Sequence, residues 1–164
     1  VSRTVKEFCG ERDFPMPLVI IEPGRSIVGT AGVTLYRVGG VKEIPGVRTY
    51  VSVDGSMADA PRHALYQADY TFLAAARAGQ PPARVVTVAG KCCESGDLLG
   101  ENVPLQPVAP GDLVAMLSTG AYHYSMASNY NRIPRPAMVL VGEKGHRLII
   151  RRETLEDLVR NDLD

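Results

Sequence analysis

The chain has 164 residues, of which 45% are hydrophobic, and its 18 basic side chains equal its 18 acidic ones. This length can bury the core of one globular domain, or of one domain plus a fragment. The balanced charge leaves no basic surplus to neutralise phosphates, which argues against a nucleic-acid partner. No stretch approaches the roughly 20 apolar residues that cross a bilayer, and no signal-peptide pattern is present, so we expect no membrane partner. Adjacent Cys92 and Cys93 suit reduced thiols in a cytoplasmic protein better than a disulfide framework.

The first predicted element is the apolar run of residues 18–21, which ends at Glu22-Pro23-Gly24. A continuous run of this length predicts a strand buried on both faces, typical of a parallel sheet or barrel. Residues 26–28, 33–38 and 49–53 follow as short β segments, with Gly39-Gly40 as a break, and this pattern is typical of a sandwich or small barrel. Because the first strand has no parallel partner in this chain, we expect it to be the last strand of another unit.

The middle of the chain is ambiguous, because residues 74–78 favour a helix while residues 70–72 favour a strand. The turn that follows and the β-branched run of residues 84–88 lead us to predict a long hairpin. Residues 112–117 are predicted to form a strand, and residues 137–141 and 147–151 a hairpin. Thr154 is expected to cap a short final helix.

Two loops concentrate reactive side chains. In Glu22-Pro23-Gly24-Arg25, glycine lets the backbone approach an anion, arginine binds carboxylate or phosphate, and glutamate suits a protonated heterocycle; a turn with a surface ion pair is the alternative. In residues 91–97, a thiol lies beside carboxylates that raise its pKa, which indicates a proton donor or nucleophile. Small buried cysteines in a polar turn are the alternative there, and no ligand spacing predicts a metal site.

Two further segments indicate a binding surface. Residues 118–131 are mostly small, hydroxylated, aromatic or amide-bearing, which suits a polar binding site better than a core. In residues 57–66, Arg62 and Tyr66 are four positions apart and share a face if the segment is helical. His63 receives no role, because a lone histidine is more often a surface residue.

Taken in order, these motifs resemble the diaminopimelate decarboxylases, fold-type III enzymes that use pyridoxal 5'-phosphate (PLP). The resemblance rests on residues 22–28, 57–59, 93–97, 120–122 and 125–131. It implies a mainly β, C-terminal sandwich or barrel-like domain over residues 31–164 that ends in a short helix. Residues 1–30 would be a remnant of a (β/α)8 barrel with its last strand. The implied reaction converts meso-diaminopimelate to L-lysine in lysine biosynthesis.

The resemblance also implies a cofactor site. Glu22 would face the pyridine nitrogen of PLP and keep it protonated. Gly24 and Arg25 would lie near the cofactor phosphate and the substrate carboxylate, and Tyr122 would bind the phosphate and contact the substrate. The family's cofactor lysine belongs upstream, and no lysine here has a matching context, so we expect this chain alone to be inactive.

Substrate and proton-transfer roles follow from the same resemblance. Arg62 and Tyr66 match substrate-binding positions, and Glu94 matches the residue that holds the distal amino group. Cys93 matches the cysteine that protonates the carbon after decarboxylation, in the active site of a partner subunit. A homodimer with shared active sites is therefore implied. His123 departs from the family, where a smaller residue or cysteine is expected.

Two alternatives remain open. An ornithine or arginine decarboxylase shares the cofactor, fold and cysteine, but ornithine enzymes tend to carry aspartate where this chain has Glu94. A non-catalytic relative is expected to lose cofactor contacts, whereas Glu22, Arg25, Cys93 and Tyr122 are all present.

Overall fold

A computed structural model of the chain describes residues 2–163, which form four α-helices and eight β-strands. The helices are α1 (Ser2–Glu11), α2 (Arg25–Val28), α3 (Arg62–Tyr66) and α4 (Leu155–Val159). The strands are β1 (Val33–Ile44), β2 (Arg48–Val53), β3 (Phe72–Ala74), β4 (Arg84–Ala89), β5 (Leu98–Leu105), β6 (Leu113–Leu117), β7 (Met138–Gly142) and β8 (Gly145–Ile150). Within residues 2–163, no helix combines the length and apolar character needed to span a membrane.

Six strands form one sheet in the order β3-β6-β1-β2-β4-β5, and β7 and β8 form a separate hairpin. All neighbouring pairs are antiparallel except β2 and β4, whose parallel pairing needs the crossover that contains α3 and β3. The two edge strands also approach each other: a Cβ added at Gly100 in β5 would lie 2.9 Å from the Phe72 ring in β3. The sheet is therefore nearly closed, which confirms the predicted mainly β, barrel-like architecture.

The core lies inside this curled sheet and follows the alternation of its strands. On β1, β2 and β4, the core residues of each strand are spaced two positions apart, and each of them is almost fully buried. The inward set is Tyr36, Val38, Val51, Val53, Val86 and Val88, joined by Phe72, Leu99, Leu105, Val114 and Met116 from the other strands. Burying each of the large aliphatic side chains contributes about 1.5–3 kcal/mol, so the sheet alone holds a substantial core.

The predicted strand at residues 18–21 is wrong for this chain. The segment forms no strand, and its four apolar side chains are 46–87% exposed. A strand is maintained by hydrogen bonds to a neighbouring strand, and residues 2–163 offer this segment none. Its β-branched composition is therefore not enough by itself to form the element. The division at residue 30 stays a prediction.

Three other local predictions are wrong. Residues 26–28 lie in α2, where the amide of Ile27 donates to the carbonyl of Gly24. Gly39-Gly40 does not end β1 but lies at a bulge in its pairing with β2. The hairpin of residues 70–78 with 84–88 is absent, because β3 pairs with distant β6 and Ala75–Arg77 forms a 3-10 turn. Burial of Phe72 and Ala74 against β6 decided that pairing.

The C-terminal predictions are confirmed. Strands β7 and β8 form the expected hairpin, and β6 covers the predicted run. Thr154 caps α4 through a capping box, in which its side chain accepts from the Asp157 amide and the Asp157 carboxylate accepts from the Thr154 amide. Helix α1 and strand β5 were not predicted; β5 contains Gly100 and Pro104, which obscure its alternation.

Candidate functional site

The first group of predicted site residues is built around Tyr122, in the loop after β6. Tyr122 adopts a left-handed backbone conformation with a φ of 54°, which is uncommon for a residue with a side chain. Its hydroxyl lies against Gly24, where any Cβ would collide with it. The structure thus brings together two residues predicted to bind the cofactor, and this approach requires glycine at position 24.

Arg62 joins this group from the first turn of α3. Its guanidinium carbon lies 5.2 Å from the centre of the Tyr66 ring and 5.7 Å from that of Tyr122. The Nε atom of Arg62 is buried and has no hydrogen-bond partner among residues 2–163. The other guanidinium nitrogens of Arg62 also donate no hydrogen bond within residues 2–163, so Arg62 is suited to bind an anion such as a carboxylate or phosphate.

Arg25 lies at the start of α2, next to Gly24. Its guanidinium donates two long hydrogen bonds of 3.4 Å, to the Tyr70 hydroxyl and the Ser118 carbonyl, and stacks 5.0 Å from the Tyr70 ring centre. These residues line an open cleft of about 400 Å³. Because an arginine has five donor N–H groups, Arg25 keeps donors for an anionic ligand. Glu22 is exposed on the preceding segment and forms no hydrogen bond within the described chain.

The second group lies on the loop between β4 and β5. Cys93 is exposed, and the Glu94 carboxylate accepts a hydrogen bond of 3.3 Å from the Tyr130 hydroxyl. The Glu94 charge raises the pKa of Tyr130, so this phenol stays protonated and donates. Burial raises the pKa of the neighbouring Cys92 thiol, with the Asp97 carboxylate adding to the effect. Among residues 2–163, no hydrogen bond, ion pair or ring contact joins Cys93 or Glu94 to the Tyr122 group.

Two carboxylates near this loop, one buried and one half-buried, were not assigned from the sequence. Asp97 is 3% exposed and accepts backbone amides from Met57 and Cys92 at 2.6 Å each. Asp59 accepts the Tyr36 hydroxyl at 2.7 Å, and burial raises the pKa of the Asp59 carboxyl and of the Tyr36 hydroxyl. Both aspartates lie within the segments that carry the family resemblance, which was the available signal.

His123 is the third polar residue that the sequence left without a role. Its side chain is buried beside Tyr122, with Nε2 3.1 Å from Thr34 Oγ1 and no partner for Nδ1 among residues 2–163. Burial, assisted by the positive charge of Arg25, lowers its pKa from 6.5 to about 4. The imidazole is therefore neutral near pH 7 and anchors the Tyr122 loop to β1.

The chemistry of these groups suits an anionic organic cofactor and substrate. Across residues 2–163, no three histidine, cysteine or acidic side chains are grouped closely enough to hold a metal ion. The guanidinium of Arg62 donates no hydrogen bond within residues 2–163, and an arginine with free donors suits a phosphate or carboxylate ligand.

Residues 19–120 match the family model described as "Pyridoxal-dependent decarboxylase, C-terminal sheet domain". The match covers more than half of the chain, and the chain belongs to this family. The resemblance noted from the sequence motifs is therefore confirmed, as is the C-terminal sheet domain of a fold-type III decarboxylase. The family as a whole is pyridoxal-dependent.

Several similar proteins within the family are diaminopimelate decarboxylases. The chain is 55% identical over 163 residues to the diaminopimelate decarboxylase of Bacillus subtilis, covering 99% of this chain and 37% of that protein. It superposes with a TM-score of 0.81 and 39% identity on the crystal structure of the diaminopimelate decarboxylase of M. jannaschii, covering 99% of this chain and 36% of that one. The same enzyme in co-complex with L-lysine gives a TM-score of 0.80 at 40% identity, over 98% and 36% of the two chains. The chain thus spans a little over a third of the length of these relatives.

Proposed function

We propose that this chain forms the C-terminal sheet domain of a PLP-dependent carboxy-lyase that converts meso-diaminopimelate to L-lysine in lysine biosynthesis. The observation that carries the proposal is the cluster of Gly24, Arg62 and Tyr122, whose unsatisfied donor suits an anionic ligand. The 55% identity to a diaminopimelate decarboxylase over nearly the whole chain supports the choice of substrate. A cytoplasmic location is proposed with it.

Four residues are assigned to the cofactor. Gly24, Arg25 and Tyr122 would bind the phosphate of PLP, and Glu22 would hold the proton on the pyridine nitrogen. When bound, PLP supplies an electron sink for the electron pair left as carbon dioxide departs. We assign no lysine of this chain to covalent attachment of the cofactor, so attachment depends on a lysine outside it.

A site selective for meso-diaminopimelate must bind a carboxylate and the distal ammonium of the substrate at the same time. Arg62, with Tyr66 beside it, would bind a carboxylate, because its guanidinium donates no hydrogen bond to the described part of the chain. Arg25 and Tyr122 would contribute to the same end of the site. Glu94 would accept from the distal ammonium, and its hydrogen bond from Tyr130 already restrains the carboxylate. Burying either substrate charge without such a partner would be costly.

The Cys93 thiol is assigned the proton that replaces the carboxyl group on the reacting carbon. Cys93 and Glu94 form no direct contact with the Tyr122 group of their own chain, and Cys93 is exposed. This arrangement favours a homodimer in which the loop of one copy completes the site of the other. A monomer should therefore be inactive.

Substrate choice is tested by measuring carbon dioxide release from meso-diaminopimelate, ornithine and arginine by the holoenzyme that contains this chain. We expect kcat/KM to be highest for meso-diaminopimelate. Faster turnover of ornithine or arginine would favour the related decarboxylases. No release from any of the three would favour a non-catalytic relative.

A further inference from the structure

Asp97 forms a buried link between two loops that carry proposed functional residues. It is the last residue before β5, its side chain is 3% exposed, and it forms no ion pair within residues 2–163. One carboxylate oxygen accepts the Met57 amide and the other the Cys92 amide, each at 2.6 Å. Gly90 packs so closely on this carboxylate that a Cβ there would collide with both oxygens.

The position of these two donors determines what the carboxylate can control. Cys92 is adjacent to Cys93, so holding the Cys92 amide fixes the backbone from which the Cys93 thiol projects. The Asp97 amide also donates to the Glu94 carbonyl at 3.0 Å, which closes the turn of residues 94–97 directly after Cys93. Short hydrogen bonds to an ionised acceptor are about twice as strong as neutral ones, and this strength offsets the cost of burying the charge.

The Met57 side of the link reaches the segment that contains Tyr130. Ala58, the next residue, accepts the Ser128 amide at 2.8 Å, and Tyr130 donates to Glu94. Asp97 therefore ties the cysteine loop to the neighbouring loops through backbone contacts. It cannot touch a ligand, because its carboxylate is enclosed.

We propose that Asp97 is a positioning residue that orients the Cys93 thiol for proton transfer, an inference that rests on the proposed function of Cys93. Two backbone amides donate to the two oxygens of one carboxylate, so the loop between β4 and β5 has one preferred orientation. Proton transfer depends on that orientation, since a displacement of 1 Å can cost roughly 10²-fold in rate.

The test compares Asp97→Asn with wild type in the holoenzyme that contains this chain. Asparagine keeps the shape but turns one acceptor into an NH2 group facing a backbone amide, so one hydrogen bond is lost. We expect kcat for meso-diaminopimelate to fall roughly 10–10²-fold, with a smaller change in KM and an unchanged PLP absorbance. The rate of Cys93 alkylation by iodoacetamide should also change. The matched control is Asp112→Asn, since Asp112 likewise accepts a backbone amide, that of Ala109 at 3.0 Å, in a different loop.

A double-mutant cycle separates positioning from general damage. If Asp97 acts through the thiol, Asp97→Asn lowers kcat no further in a Cys93→Ala background. An equal loss in both backgrounds would overturn the inference and leave the role of Cys93 intact. Wild-type kcat in Cys93→Ala would instead overturn the proposed function of Cys93, and this inference with it.

Folding is monitored by the thermal unfolding midpoint of each variant. Gly90→Ala provides a second perturbation, because it displaces the carboxylate while keeping its charge, and it should lower kcat in the same way. If neither variant folds, Asp97 determines the fold and not the orientation of the thiol, and the inference is wrong.

Discussion

The buried His123 should make the stability of this chain depend on pH. Its pKa is about 4 in the folded chain and 6.5 as an ordinary histidine, so between these values the unfolded chain binds a proton that the folded chain excludes. The stabilisation is fully present above pH 6.5 and is lost as the pH falls toward 4. At pH 5, the lost free energy is about 1.36 kcal/mol for each of the 1.5 units below 6.5, or about 2 kcal/mol.

The assay is urea unfolding of the chain at pH 8 and pH 5, for wild type and His123→Gln, with a check that the transition is reversible and single. Wild type must be compared with the variant because burial also raises the pKa of Asp59, and this shift favours the folded chain as the pH falls. We expect wild type to lose about 2 kcal/mol more than the variant on acidification. His146→Gln, on exposed β8, should behave as wild type. Identical pH dependence of wild type and His123→Gln would refute the reasoning.

Four further substitutions test the proposed site in the holoenzyme. Cys93→Ala should lower kcat roughly 10²–10⁴-fold while Cys92→Ala has a much smaller effect, and equal effects would mean that the wrong thiol was chosen. Glu94→Gln should lower kcat/KM for meso-diaminopimelate by a factor equivalent to about 1.5–3 kcal/mol of transition-state stabilisation, without loss of PLP. Steady-state kinetics and cofactor absorbance measure the two effects. Gly24→Ala should push the Tyr122 hydroxyl aside and weaken PLP binding in an equilibrium titration; an unchanged dissociation constant would contradict the assigned contact.

One feature of the candidate site's geometry could be predicted from the sequence because it is local. The pairing of Arg62 with Tyr66 follows from helical spacing, and the structure places them on one face of α3. The glycine at position 24 was predicted to let the backbone approach an anion; its contact with the Tyr122 hydroxyl, 98 positions away, was not predicted. Asp97 and His123 were missed, because burial and hydrogen-bond partners are set by distant segments.

The sequence by itself determined the elements that have a strong local signal, such as a β-branched run or a helix-capping pair. The β-branched runs of residues 33–38, 49–53 and 84–88 lie in strands β1, β2 and β4, and α4 begins where Thr154 and Asp157 cap it. These signals lie within a few residues of one another, so no distant partner is needed to interpret them.

Only the tertiary structure decided which strands pair. Phe72 to Ala74 joins β6 and not β4, because the curled sheet buries Phe72 against Met116 and leaves the alanines after it to a 3-10 turn. Residues 18–21 have strand composition but form no strand, since their backbone finds no partner among the described residues. A strand depends on hydrogen bonds from another part of the chain. A β-branched composition therefore allows a strand, but the strand forms only where a partner strand is available.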